Sequence, residues 1–404
     1  MSPTQKNYLI SLGQKARAAS RKLAAANTSI KNRALHLMAK SVRAGQDRIL
    51  SANALDIAAA RDKGLGQALV KRLELDQVKI EAMARGLEEV AALPDPVGEV
   101  VTGWRRPNGL EINQIRVPFG VIAVIYESRP NVSSDAAALA LKAGNAVILR
   151  GGSETLTTNR TLVDLLSGTL AAAGLPAEAL QLVADPDRHL VEGLLGMRDY
   201  VDLVIPRGGA GLIRMVVEKA RVPVIETGVG NCHVYVDERA DLNKAKRIVI
   251  NAKVSNPAAC NAAETLLVHE AVAARLLPDL LAELRQMGVE IRGCDKTRSL
   301  FGGQLADGVQ AVTEEDWSTE YLDLILAVKV VGGLEEAVEH IRRYGTRHSE
   351  AIVTDDYGRA RRFTEAIDAA VVYVNASTRF TDGHEFGFGA EVGISTQKLH
   401  VRGP

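Results

Sequence analysis

The chain has 404 residues, too many for one ordinary hydrophobic core, and usual domain sizes predict two or three domains. Hydrophobic residues make up 47% and charged residues 24%, the proportions of a packed globular protein, which excludes a disordered or fibrous one. Lys plus Arg and Asp plus Glu balance at 49 each, so no global field holds a polyanion, nucleic acid and membrane surfaces are excluded as partners, and any anion site must be local.

Met1 to Ser20 carries Lys6, Lys15 and Arg17 and no apolar run of signal-segment length, and no later stretch has the roughly 18 uncharged apolar residues of a membrane span. Cys232, Cys260 and Cys294 show no CxxC spacing, which predicts a reduced, cytoplasmic protein without a zinc or redox site. From Gln5 to Leu93 apolar residues recur at helical spacing, as in Ile30, Ala34, Leu37 and Met38. Leu93-Pro94-Asp95-Pro96 stops the helices, because proline removes donors and restricts the residue before it. Val100 to Val117 then reads as a β-hairpin around Pro107-Asn108-Gly109.

From Phe119 strand and helix patterns alternate, with strands expected at Gly120 to Tyr126, Ala146 to Leu149, Leu180 to Val183 and Val201 to Ile205. A second series begins near Gly228, with strands at His233 to Val236, Thr265 to Val268, Leu324 to Val331, Ala351 to Thr354 and Val371 to Asn375. Asp241 caps the helix that runs to Val254. The class is α/β, with two tandem units, each a parallel sheet with crossover helices. The Gly-rich tail from Thr381 fits neither.

Arg150-Gly151-Gly152-Ser153 follows a strand and opens a helix, a natural phosphate site that is equally a plain capped turn. Arg207-Gly208-Gly209 repeats that arrangement after the next strand but one, and two such turns at the carboxyl ends of parallel strands point to an anionic nucleotide. Cys260 lies in Asn256-Pro257-Ala258-Ala259-Cys260-Asn261, where small neighbours leave room for a substrate and peptide dipoles can activate a thiol; an inert buried cysteine is the competing reading. Cys232 reads as core and Cys294 as surface. Glu226, at the end of an apolar strand, serves equally well as a general base or as an acceptor for backbone donors. The histidines show no metal-ligand spacing, and none is assigned to a metal.

These residues, in this order, resemble the aldehyde dehydrogenase superfamily over nearly the whole chain. The resemblance rests on Pro118 to Gly120, Ala143-Gly144-Asn145, Arg150 to Ser153, Glu226 and Cys260 at the family separation. Longer segments match the branch that reduces an acyl phosphate in proline biosynthesis: Tyr126 to Asn131, Glu226 to His233, Cys260 to Leu267, Val374 to Gly383 and Gly387 to Pro404. The fold implied has an NADP-binding domain (residues 1–98 and 119–227), a catalytic domain (228–370) and an oligomerisation arm of hairpin and tail (99–118 and 371–404).

The activity implied is NADPH-dependent reduction of L-glutamyl 5-phosphate to L-glutamate 5-semialdehyde. Cys260 would form the thioester, with an oxyanion held by the Asn131 amide and the Cys260 backbone N–H. Ser153 stands where NAD-preferring relatives tend to place a glutamate against the ribose, which with Arg150 and Arg207 favours a 2′-phosphate and hence NADPH. Glu320 resembles the family glutamate on the nicotinamide-side ribose, and Arg129 and Arg379 are the expected substrate contacts. A homo-oligomer is expected, with glutamate 5-kinase as a further candidate partner. Two alternatives stay open: a hydrolytic NAD(P)-dependent aldehyde dehydrogenase using Glu226 to activate water, and a silent scaffold of the same fold.

Overall fold

The computed structural model describes residues 1–300, 308–399 and 401–403. By internal contacts the chain forms two compact units, Met1–Glu226 with Gly389–Val392, and Thr227–Phe388 with Gly393–Pro404.

In the first unit the helical stretch resolves into helices Pro3–Ala24, Thr28–Ala44, Gln46–Asp62, Gln67–Leu73 and Gln77–Ala92. Several of the breaks are set by side-chain caps. Ser2 and Gln5 close a reciprocal capping box, Asn27 accepts the Ile30 N–H at 3.0 Å, and Asp76 accepts the Lys79 N–H at 2.7 Å. Leu93 turns extended ahead of Pro94, as the proline ring requires of its predecessor. The expected hairpin follows: β1 (Val100–Arg105) pairs antiparallel with β2 (Glu111–Ile115), and Gly109 takes the left-handed turn position at φ 87°. Its apolar side chains Val101, Trp104 and Ile115 are exposed.

The unit's sheet consists of β3 (Val121–Tyr126), β4 (Ala146–Arg150), β5 (Leu180–Leu182) and β6 (Leu203–Arg207), all parallel in the order β5-β4-β3-β6. Gly144, at φ 74°, makes the turn into β4, and the adjacent Asn145 side chain accepts the Gly120 N–H at 2.9 Å, tying that turn to the start of β3. β6 begins two residues later than the Val201 expected and runs through Pro206, tolerable because β6 is an edge strand of this sheet. The connections β3 to β4 and β4 to β5 run one way, and β6 then lies on the other side of β3. That reversal is where open α/β sheets bind ligands.

The second unit is built on a seven-stranded parallel sheet. Its strands are β7 (Cys232–Val236), β8 (Ala263–His269), β9 (Glu290–Gly293), β10 (Val309–Ala311), β11 (Ile325–Val331), β12 (Ser349–Val353) and β13 (Val371–Val374), in the order β10-β9-β11-β8-β7-β12-β13. Alternation divides each central strand between two cores: Val234 and Val236 pack on one face and Tyr235 on the other, as do Leu266 and Val268 against Leu267. With both faces covered, these strands read as continuous apolar runs.

One expectation is corrected here. β9 and β10 were missed, since Glu290-Ile-Arg-Gly alternates charge with apolar residues over one short strand and Val309–Ala311 is shorter still. Val371–Val374, expected as a strand of the second series, pair in parallel with β12 at the sheet edge, where a β-branched run completes the apolar surface. The later tail is tied to its own unit, Ser395 bridging both Thr227 and Gly403. Among the described residues no helix is long and apolar enough to cross a membrane.

Candidate active site

The thiol in the second unit sits where the helix Leu242–Val254, capped by Asp241 as expected, gives way to β8. Two tight turns, Ala259 N–H to Asn256 O at 3.2 Å and Ala262 N–H to Ala259 O at 3.0 Å, place Cys260 half-buried between them. The segment leading into β7 passes directly against this loop. A Cβ on Gly230 would coincide with the Cys260 carbonyl, so only glycine fits there, and the buried Cys232 thiol donates to that same carbonyl at 3.3 Å. Burial pushes the Cys232 thiol well up, which leaves it a neutral donor, as suits its predicted place in the core. Cys294, expected at the surface, is half-buried against the core of this unit, and its sulfur accepts the Val330 N–H at 3.4 Å.

Gly230→Ala is therefore expected to displace the thiol loop. A shift on the order of 1 Å costs roughly 100-fold in kcat, and steady-state kinetics on the purified variant, with its melting temperature alongside, measures it.

Arg379 spans the loop. Its guanidinium donates to the Ser255 hydroxyl at 3.3 Å and to the Asn261 side-chain oxygen, so it touches residues on both sides of Cys260 in sequence. Asn261 returns hydrogen bonds to the carbonyls of Arg379 and Thr381 at 3.3 and 2.9 Å. Glu320 accepts the Gly230 N–H at 2.7 Å, and burial raises its carboxyl above the usual range. Beneath lies a pair that sequence reasoning missed: Lys253 and Glu264, both fully buried and 2.5 Å apart. Burial raises Glu264 to about 7 against the pull of Lys253, and burial likewise lowers Lys253. The other Glu264 oxygen accepts the Leu322 N–H at 3.3 Å, linking helix, strand and the segment that carries Glu320. A lysine and a glutamate inside otherwise apolar runs were the available signal.

In the first unit a cavity of about 730 Å³ opens by the carboxyl ends of β3 and β4. Ser153 and Gly152 line it, and Gly211 and Leu212 line it from the helix after β6. Arg150 lines the same cavity. It is 7% exposed, donates to the carbonyls of Gly151 and Pro186, and keeps a buried Nε without a partner among the described residues, so it shapes the turn. Lys63 and Arg188, exposed cations in the same lining, were missed because they lie far from the glycine turns in sequence.

Two carboxylates already serve those turns. Glu127 accepts the Gly209 N–H at 2.9 Å beside Arg207 and Gly208, and Glu154 accepts both the N–H and the hydroxyl of Ser128, at 3.2 and 2.9 Å, holding Ser128 at φ 48°. Asn131 begins the helix Val132–Lys142 and donates one amide hydrogen to Asp135 at 2.9 Å, leaving the other for a ligand. Arg129 and Asn131 line a separate cavity of about 410 Å³. Glu226 is half-buried at the end of a segment whose Val224 bridges β6 at Val204.

Residues 5–301 match the model of the aldehyde dehydrogenase family. The γ-glutamyl phosphate reductase of Moorella thermoacetica is 61% identical over 392 residues, covering 97% of this chain and 93% of that protein. The chain belongs to the γ-glutamyl phosphate reductase family. Within this family, the crystal structure of the reductase from Thermotoga maritima superimposes with a TM-score of 0.94 at 50% identity, covering 98% of this chain and 94% of that one. The fold is therefore aldehyde dehydrogenase-like. An acetylating aldehyde dehydrogenase from Geobacillus thermoglucosidasius, 20% identical with a TM-score of 0.70, shares that fold.

Proposed function

We propose that this chain reduces L-glutamyl 5-phosphate to L-glutamate 5-semialdehyde and phosphate, the second step of proline biosynthesis from glutamate, with Cys260 as nucleophile. The observation that carries this reading is the thiol loop, fixed through the Cys260 carbonyl by Gly230 and Cys232 and flanked by the Arg379 guanidinium. The Cys260 thiolate adds to the 5-carbonyl carbon. The C–S bond forms, the C–O bond to phosphate breaks, and phosphate leaves with the electron pair.

The enzyme is an oxidoreductase that uses a nicotinamide cofactor, and we take that cofactor to be NADPH. When bound, it supplies the hydride for the thioester carbonyl. Cys260 then departs as thiolate and the aldehyde is released. The Cys260 N–H and the spare Asn131 amide hydrogen serve the oxyanion, each such donor being worth about 3 kcal/mol. The cavity fits a cofactor in size, and its lining supports the phosphorylated form: Ser153 presents no carboxylate of its own, Ser128 occupies that of Glu154, and Lys63 and Arg188 supply positive charge. Glu320, bonded to the glycine that abuts Cys260, is assigned to the nicotinamide-side ribose. Arg129 and Arg379 are assigned to substrate.

We further assign the hairpin, with exposed Val101, Trp104 and Ile115, and the tail beyond β13 to contacts between copies of the chain. The three free cysteines support a cytoplasmic setting. Freshly generated L-glutamyl 5-phosphate tests the reaction: one phosphate is expected to appear for each NADPH oxidised. Phosphate release that is not matched by NADPH oxidation would overturn it.

A further inference from the structure

Lys253 is the last residue but one of the helix Leu242–Val254, and Glu264 is the second residue of β8, so their contact at 2.5 Å joins the two ends of the loop that carries Cys260. Both side chains are fully buried. Stability alone does not call for such a pair, since apolar residues of similar volume are often as stable in its place. Its further contacts point to position instead.

The Glu264 oxygen that does not face Lys253 accepts the Leu322 N–H at 3.3 Å, and Leu322 is held at φ 54°, a left-handed conformation that a leucine keeps only under constraint. The Lys253 ammonium lies 5.9 Å from the centre of the Tyr321 ring, whose hydroxyl donates to the Asp316 carboxylate at 2.9 Å. One residue earlier, Glu320 accepts the N–H of Gly230, the glycine against the Cys260 carbonyl. Glu264, Leu322, Glu320, Gly230 and Cys260 thus form a closed circuit of contacts, all within the second unit.

Resting on the role given to Glu320 above, we infer that Glu264 is a positioning residue of the reaction: through the Leu322 N–H it fixes Glu320 relative to the Cys260 loop, and Lys253 orients its carboxylate for that bond.

Two uncharged replacements separate position from stability. Lys253→Met/Glu264→Leu removes the ion pair and the acceptor for Leu322, whereas Lys253→Met/Glu264→Gln keeps a carbonyl oxygen for that N–H. The buried glutamine leaves its amide hydrogens unmet, so this variant is expected to melt below the leucine one. Turnover should rank the other way. With pyrroline-5-carboxylate and phosphate, kcat/KM for NADP is expected to fall about 10- to 100-fold in the leucine variant and less than about 3-fold in the glutamine variant. Adding Glu320→Gln should cost the glutamine variant far more than the leucine variant, in which Glu320 is already displaced. Activity that follows melting temperature across the two variants overturns the inference, as does an equal cost of Glu320→Gln in both. If the leucine variant does not fold, the glutamine variant decides: near-wild-type turnover supports the inference, and a fall beyond about 10-fold overturns it. Failure of the proposed reaction shows separately, in the wild type, as NADP reduction that needs no phosphate, and the coupling to Glu320 is read on that turnover in the same way.

Discussion

Replacing Cys260 with alanine is expected to lower kcat for L-glutamyl 5-phosphate reduction by about four orders of magnitude or more, because no other group can carry the acyl intermediate. The melting temperature should stay close to that of the wild type. Contacts that hold the loop run through the Cys260 carbonyl, met by Cys232, and through Asn261, met by Arg379, and alanine keeps both. Steady-state kinetics and thermal unfolding on the same preparation check the two halves of this expectation. Retained turnover would remove the nucleophile from the mechanism; a collapsed fold would show that the thiol is structural.

The second large effect is on stability. Lys253→Met is expected to destabilise the second unit by about 3–5 kcal/mol, because it strands the Glu264 carboxylate, fully buried, without its partner 2.5 Å away. Adding Glu264→Leu should restore much of the loss, since an apolar pair of similar volume avoids the desolvation cost altogether. Trp317, 7% exposed in this unit, gives a fluorescence signal for urea unfolding. A single variant within about 1 kcal/mol of the wild type would contradict the assignment of this pair as a structural clamp.

The thiol and its loop were legible because their signals are local. Small residues around Cys260, an Asp cap at Asp241 and an apolar run after Asn261 mark helix end, loop and strand in a single pass. The hairpin was legible for the same reason, Asn-Gly fixing its turn. What escaped depends on pairing between distant segments. β9 and β10 are too short and too polar to show a period. The hydrogen bond from Arg150 to the Pro186 carbonyl joins positions remote in sequence. Lys253 and Glu264 flank Cys260 within a few residues, but their union needs a helix and a strand packed together.

The central claim is that Cys260 exchanges its acyl group with phosphate rather than with water. The most direct measurement is NADP reduction by purified wild-type protein supplied with pyrroline-5-carboxylate, with inorganic phosphate raised from zero. The rate is expected to be negligible without phosphate and to rise to saturation as phosphate is added. An equal rate in the absence of phosphate would contradict the account and point to hydrolysis of the thioester, with Glu226 activating the water.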